Sequence, residues 1–236
     1  MANLDLEEQE QLDQLKAFWN QYGNYITWGL IVVLGAFAGW NLYQRWQSSQ
    51  SAQASALFDE LDRVAQSKDS AKIERVFADM KEKFPSTAYA AQSGLLVAKA
   101  QFEAGKLEEA KAALNWVAEK SPDEGYQAIA RLRLAGLLME NKALDEALKQ
   151  LSGKFPAEFI GLVADRRGDV LFVQGKTAQA KAEYEKAYKA LDEKSEYRRL
   201  LEVKLNALGV DPKPVVASVK PTGASGSADG SGGEKK

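Results

Sequence analysis

From Ala17 to Gln44 the chain carries no charged residue, and Tyr25 to Tyr43 inside that run is almost wholly apolar. As a helix those 19 residues span about 28 Å, close to the ~30 Å hydrocarbon core of a bilayer. Trp19, Tyr22, Tyr25 and Trp28 stand at one end of the run, with Trp40, Tyr43 and Trp46 at the other. Seven of the thirteen Trp and Tyr residues therefore lie where membrane-interface belts place them. A transmembrane helix over residues 25–44 is expected, because a buried core helix seldom stays uncharged for so long. A cleaved signal peptide fits less well. Ala52-Gln53-Ala54 and Ala54-Ser55-Ala56 have the small-residue pattern of a cleavage site, but the chain opens with Asp5, Glu7, Glu8, Glu10 and Asp13 against Lys16 alone. Signal peptides open basic.

Lys16 and Arg45 flank the span one against one, so the positive-inside rule does not orient it. Gly35-Ala36-Phe37-Ala38-Gly39 has the spacing of a membrane helix-packing motif, which makes Gly35 and Gly39 candidate contacts for a partner helix. Residues 1–24 form an acidic head. Its residues 3–16 read as a solvated stub or as a short helix with Asn3 as N-cap, and the stub is preferred.

The chain has no histidine and no cysteine. That excludes Ser-His and Cys-His nucleophile pairs, disulfides, thiol redox chemistry and zinc sites with His or Cys ligands. A net charge of −2 gives no general attraction to nucleic acid. The expectation is a non-enzymatic chain with no cofactor and no metal; an enzyme would have to work with carboxylate, lysine, tyrosine or hydroxyl groups.

From Ser51 to Leu208 the periodicity is helical, with prolines and glycines expected only between the periodic segments. The phrase Gly105-Lys106-Leu107-Glu108-Glu109-Ala110 returns as Asn141-Lys142-Ala143-Leu144-Asp145-Glu146-Ala147 and again as Gly175-Lys176-Thr177-Ala178-Gln179-Ala180. The lysines lie 36 and 34 residues apart, and Lys83-Phe84-Pro85, Lys120-Ser121-Pro122 and Lys154-Phe155-Pro156 are spaced by 37 and 34. A period near 34 predicts helix–turn–helix repeats of the tetratricopeptide kind, stacked as an all-α solenoid over residues 51–209. In that pattern Gly105, Asn141 and Gly175 end first helices in a left-handed cap, small alanines allow close packing, and proline stops the second helix. Ala98, Ala110, Leu114, Val117 and Pro122 take the consensus positions of one repeat. Ala135, Leu138, Ala147 and Leu151 follow in a repeat whose second helix is about three residues short. Gly168, Leu171, Ala180, Tyr184 and Ala187 complete the third.

A degenerate pair precedes them over roughly 51–84, with Leu57, Phe58, Leu61, Val64, Ile73, Val76, Phe77 and Met80 as its apolar face, and a last helix covers Glu196 to Leu208. Residues 210–236 hold no aromatic residue and take 12 of their 27 positions from Gly, Ser and Pro, so a disordered tail is expected.

First helices of such repeats line a concave face. Gln92, Leu95, Lys99, Phe102, Ile129, Met139, Leu162, Asp165, Asp169 and Phe172 are the candidate protein-binding positions there. Asp165 and Asp169 could act as an acid–base pair, but a solvated, salt-bridged face is the preferred reading. Arg131, Arg133, Arg166, Arg167, Arg198 and Arg199 recur near the repeat period; pairing with nearby acids is preferred to a basic ladder. Repeat proteins that grip acidic chain ends use Lys and Asn at positions held here by Leu95 and Lys99, so that clamp is not expected.

The acidic head, Trp19-Asn20-Gln21-Tyr22-Gly23-Asn24 entering the span, Gly39-Trp40-Asn41-Leu42-Tyr43 leaving it, and the repeat phrase from Gly105 to Ala110 together resemble a known family. It is the ancillary subunit of the bacterial SecYEG translocon, of the YfgM type, and the resemblance covers residues 1 to about 209. It implies a single-pass inner-membrane protein with a cytoplasmic N-terminus and periplasmic repeats. It further implies the SecYEG translocon, a PpiD-type periplasmic chaperone and exported polypeptides as partners, with hand-off of emerging chains to periplasmic chaperones. Residues 1 to about 20 would restrain the Rcs stress-response regulator. The alternative is an anchored repeat scaffold for another envelope complex.

Overall fold

The computed structural model describes residues 6–67 and 69–211, with the side chains of residues 6–11 and 13 outside that description. Residues 1–5 of the acidic head and 212–236 of the expected tail lie outside the described residues. Among the described residues the chain is all-helical, without strand. The helices are α1 (Leu6–Gln66), α2 (Ser70–Lys83), α3 (Ala88–Glu103), α4 (Leu107–Lys120), α5 (Glu124–Glu140), α6 (Leu144–Leu151), α7 (Ile160–Val173), α8 (Thr177–Ala190) and α9 (Tyr197–Ala207). A single 3₁₀ turn, Ala157–Phe159, precedes α7. Two compact units divide the chain after Pro156.

Helix α1 is 61 residues, about 90 Å, without a break. Residues 6–16 are helical rather than a stub, and residues 45–50 continue the helix from the span into the first repeat pair. It is long and apolar enough to cross a membrane, and none of its apolar window is buried within the protein. Leu34 is 57% exposed and Phe37 65%, values that leave this surface to lipid rather than to a protein core.

The last turns of α1 start the core of the first unit. Ala54 and Leu61 are fully buried. Phe58 packs on Tyr89 of α3 with ring centroids 5.9 Å apart. Helix α2 adds Ile73, Val76, Phe77 and Met80, and Phe77 meets Trp116 of α4 edge-on at 5.6 Å. The degenerate pair thus exists, with the C-terminal end of the membrane-length helix as its first member. Side-chain caps fix the starts of α2, α3 and α5: Asp69 accepts from the Lys72 amide at 3.2 Å, Thr87 from Ala90 at 3.3 Å, and Asp123 from Gly125 at 2.7 Å.

The same left-handed closure forms four times, in the three turns between paired helices and after α9. The amide of Lys106 donates to the Gln101 carbonyl at 2.8 Å and that of Gly105 to Phe102 at 2.9 Å. Ala143/Lys142, Lys176/Gly175 and Val210/Gly209 repeat this two-bond closure. It satisfies carbonyls that the helix end leaves open and requires one left-handed residue. Gly105, Gly175 and Gly209 fill that place at φ +75°, but in the middle repeat it falls on Lys142, at φ +61°, and not on Asn141. Asn141 has φ −84°. The structural equivalents Gly105, Lys142 and Gly175 are 37 and 33 residues apart, so matching the lysines of the phrase shifts the middle repeat by one residue.

Helix α6 has only 8 residues against 14 in α4, a larger shortfall than expected. Gly153 follows it at φ +125°, and residues 152–156 run on without helix, which preserves the proline spacing.

Glycines also sit inside helices, contrary to the expectation. A Cβ on Gly94 would lie 2.3 Å from Val117, and one on Gly161 2.8 Å from Leu191. One on Gly168 would lie 2.5 Å from the Tyr184 ring. These positions bring paired helices to backbone contact, and that gain outweighs the helix-propensity loss of about 1 kcal/mol.

The second unit pairs α7 with α8 and closes with α9. Val170, Leu171, Ala180, Tyr184, Ala187, Leu201 and Leu205 form its core. The small and apolar consensus positions of the first unit, Ala98, Ala110, Leu114, Val117, Ala135, Leu138, Ala147 and Leu151, are buried as the pattern requires, and the stop position Pro122 is exposed.

Two substitutions test this packing. Lys142→Gly relieves a side chain held in the left-handed region and is expected to stabilise the chain by about 0.5–1 kcal/mol, read as a higher urea midpoint. Gly168→Ala drives a methyl into a ring that cannot retreat and is expected to cost about 2–3 kcal/mol; an unchanged midpoint would refute the close approach.

Candidate functional site

Counting back from the left-handed turn residue puts the candidate positions into register. Gln92, Ile129 and Leu162 each lie 13 residues before it, and Phe102, Met139 and Phe172 each lie 3 before it. The same count adds Leu132 as the α5 equivalent of Leu95 and Asp165, and Gly136 as that of Lys99 and Asp169. Both were missed by the sequence reading, although the 37- and 33-residue spacings point to them.

Within the first unit, Phe102 is 42% exposed and Lys99 is exposed, paired with Glu103 at 3.8 Å. Ile129 and Met139 are half-buried. Gln92 donates from Nε2 to the Tyr126 hydroxyl at 2.7 Å and so ties α3 to α5. Leu95 is 8% exposed and belongs to the core; its register position faces inward. Within the second unit, Phe172 is 52% exposed, Leu162 and Asp169 are half-buried, and Asp165 is buried at 2%.

Asp165 and Asp169 do form salt bridges, but inside the unit and not on a solvated face. The Lys204 ammonium lies 2.6 Å from Asp165 Oδ1 and 2.6 Å from Asp169 Oδ1. The Tyr197 hydroxyl donates to Asp165 Oδ2 at 2.6 Å, and that of Tyr184 to Asp169 Oδ1 at 2.9 Å. Arg166 stands 3.9 Å from Asp169. The ammonium and two phenols satisfy the buried carboxylates, so this cluster fastens α9 to α7 and α8; its geometry is that of a polar clasp and not of an acid–base pair facing a substrate. Burial, reinforced by the carboxylates, pushes the phenols of Tyr184 and Tyr197 well above their ordinary 10.0.

Several of the recurring arginines are engaged within their own units. Arg131 donates to the Lys154 carbonyl at 3.4 Å and stands over the Phe155 ring at 5.5 Å. Arg167 pairs with Glu183 at 3.3 Å, and Arg198 covers the Tyr188 ring at 4.0 Å. The first unit also holds two cavities that the sequence reading missed. One of about 720 Å³ opens among Glu119, Gln127, Arg131, Lys149 and Phe155. The other, about 250 Å³, is lined by Glu74, Lys81, Gln101 and Glu109. Gln101 is fully buried, accepting from Ser70 Oγ at 2.5 Å and donating to Glu74 at 3.2 Å. On α1, a Cβ at Gly35 or Gly39 would meet no atom within 4 Å, so both positions lie open on the helix surface.

The clasp predicts an alkaline signature. Phenols whose folded pKa is raised stabilise the fold below the ordinary value of about 10, and that contribution is lost as pH rises above it. Tyrosinate absorbance is expected to show a late component, coupled to loss of helix, that disappears in Tyr184→Phe/Tyr197→Phe; a titration with no late component would refute the clasp.

The family model described as a tetratricopeptide repeat-like domain matches residues 16–210. An ancillary SecYEG translocon subunit of Neisseria gonorrhoeae is 32% identical over 204 residues, covering 86% of this chain and 98% of that protein. Proteins of the same name from Haemophilus influenzae and Escherichia coli K12 are 31% and 27% identical over 205 residues, each covering 86% of this chain and 98% and 97% of their own length. No solved structure matches the chain significantly. With one apolar membrane-length helix and a repeat domain matching along nearly the full length of these relatives, the chain belongs to the family of ancillary SecYEG translocon subunits with a tetratricopeptide repeat-like domain.

Proposed function

We propose that this chain is a membrane-anchored, non-enzymatic accessory of the SecYEG translocon, with its head, residues 1–24, in the cytoplasm and its repeats in the periplasm of a bacterial inner membrane. The observation that carries the reading is the fusion, in one helix, of a lipid-ready segment with a repeat unit that leaves Phe102 exposed. Anchoring holds the repeats at high local concentration beside a membrane complex, where modest contacts suffice. Within each unit the exposed and half-buried positions, Gln92 and Phe102 on α3 in the first and Phe172 on α7 in the second, offer mixed apolar and polar surface suited to a helix or an extended segment. In this reading those positions receive exported chains and pass them to periplasmic chaperones beside a PpiD-type partner. Gly35 and Gly39 would contact a membrane helix, and residues 1 to about 20 would restrain the Rcs regulator.

Photo-crosslinkers placed at Phe102, Phe172 and Gly35 in living cells test this. Adducts of Phe102 or Phe172 with newly exported chains or a PpiD-type chaperone, and of Gly35 with a channel subunit, are expected. Reproducible adducts with a different envelope complex, and none with the channel, would replace the translocon reading with that of a repeat scaffold.

A further inference from the structure

Between the membrane-length part of α1 and its seat in the first unit lie Arg45 to Gln53, nine residues with no glycine or proline. In fact neither residue type occurs anywhere from Trp40 to Gln66. Kinks in long helices arise at such residues, at bulges or at inserted groups, and the helix here is continuous. Both ends of the stretch are held. On one side stands the aromatic belt of Trp40, Tyr43 and Trp46, and on the other Ala54 and Leu61 are locked in the core with Phe58 against Tyr89. Starting a helix is costly but extending one is not, so nine residues between two fixed helical segments stay helical. Gln53 Nε2 also donates to Ser49 Oγ, one turn below, at 3.2 Å.

We propose that α1 is a rigid arm that sets both the height and the azimuth of the first repeat unit over the bilayer, so that helical phase, beyond mere tethering, decides which partner surface Phe102 meets. The arm itself rests on the membrane-anchored reading; what Phe102 meets rests on the translocon reading. From Trp46, at the edge of the span, to Ala54, the first fully buried residue, the rise is about 12 Å. The seat therefore lies close over the headgroups. Each residue added to this stretch lifts the unit by about 1.5 Å and turns it by about 100°. A flexible linker would average over such changes.

The chain has no cysteine, so paired labels need no background removal. Full-length protein carrying Ala38→Cys and Glu119→Cys, spin-labelled in nanodiscs of phosphatidylethanolamine and phosphatidylglycerol, is expected to give one narrow distance distribution. Replacing Ser48, Ser49 and Gln50 by glycine is expected to broaden it at least roughly twofold. A wild-type distribution as broad as the glycine variant's would overturn the arm.

Phase is read in cells from the Phe102 photo-adduct. Two residues inserted after Gln50 turn the unit by about 200°, whereas seven restore the azimuth to within about 20° and raise it by about 10 Å. The two-residue insertion is expected to cut the adduct yield roughly tenfold, and the seven-residue insertion less. Equal yields in all variants, or a two-residue yield above the seven-residue one, would overturn the azimuth claim. Absence of any Phe102 adduct in the wild type would count against the translocon reading, while the distance measurement still decides on the arm.

Discussion

Inside a bilayer a peptide group finds no water to bond, so every amide and carbonyl of a spanning segment has to be satisfied along its own helix. That requirement organises this chain. The charge-free run from Ala17 to Gln44 is obliged to be helical, and nothing in the residues that follow stops it. The helix therefore runs on until Gln66, by which point Ala54 and Leu61 have entered a protein core. The anchor is thus also the first member of the first helix pair. Residues 45–50 hold no glycine or proline to break the helix, and it continues through Ser48 and Ser49 between two helical neighbours.

What was legible in the sequence followed from strong, additive signals. The long apolar helix, the repeat period, the buried consensus positions and the last helix all rest on patterns that several residues write together. The errors rest on single residues whose effect is set by their neighbours. Asn141 looks like a left-handed cap because asparagine tolerates that conformation. The closure bonds from Lys142 and Ala143 nevertheless put the strained residue one place later, where only a lysine is available. Gly168 was legible as a small consensus position, but Gly94 and Gly161 read as punctuation because glycine usually is; their role as contact points appears only when Val117 and Leu191 are seen to press on them.

Asp165 teaches the same lesson for charge. From sequence, an aspartate beside Arg166 and Arg167 looks like part of a solvated face, and neither arginine turns out to be its main partner. Lys204, thirty-nine residues away, and Tyr197 fold over it. Local charge patterns predict surface pairing well only when no later element returns to cover them. Here α9 does, and a short helix that buries just Leu201 and Leu205 gains its hold from the clasp. Removing one partner of such a cluster would strand a buried charge, so the clasp specifies where α9 sits more than it adds net stability.

The two kinds of surface left open have different physical standing. Phe102 and Phe172 recur at one register position, the last turn of a first helix, where the left-handed turn forces the chain away and leaves the ring uncovered. Met139 holds the same position and is half-buried, so the closure permits this exposure without imposing it. The membrane-length part of α1 is uncovered for the opposite reason: lipid replaces the protein core as its solvent. Selection can therefore alter the rings to tune partner contacts without disturbing the fold, whereas a charge placed between Tyr25 and Tyr43 would act on the anchor and the seat together. The continuity of α1 joins the membrane-length segment to the first unit alone, the one that holds Phe102. In the rigid-arm proposal, a change in how the span sits in the bilayer would be carried along this helix to that unit.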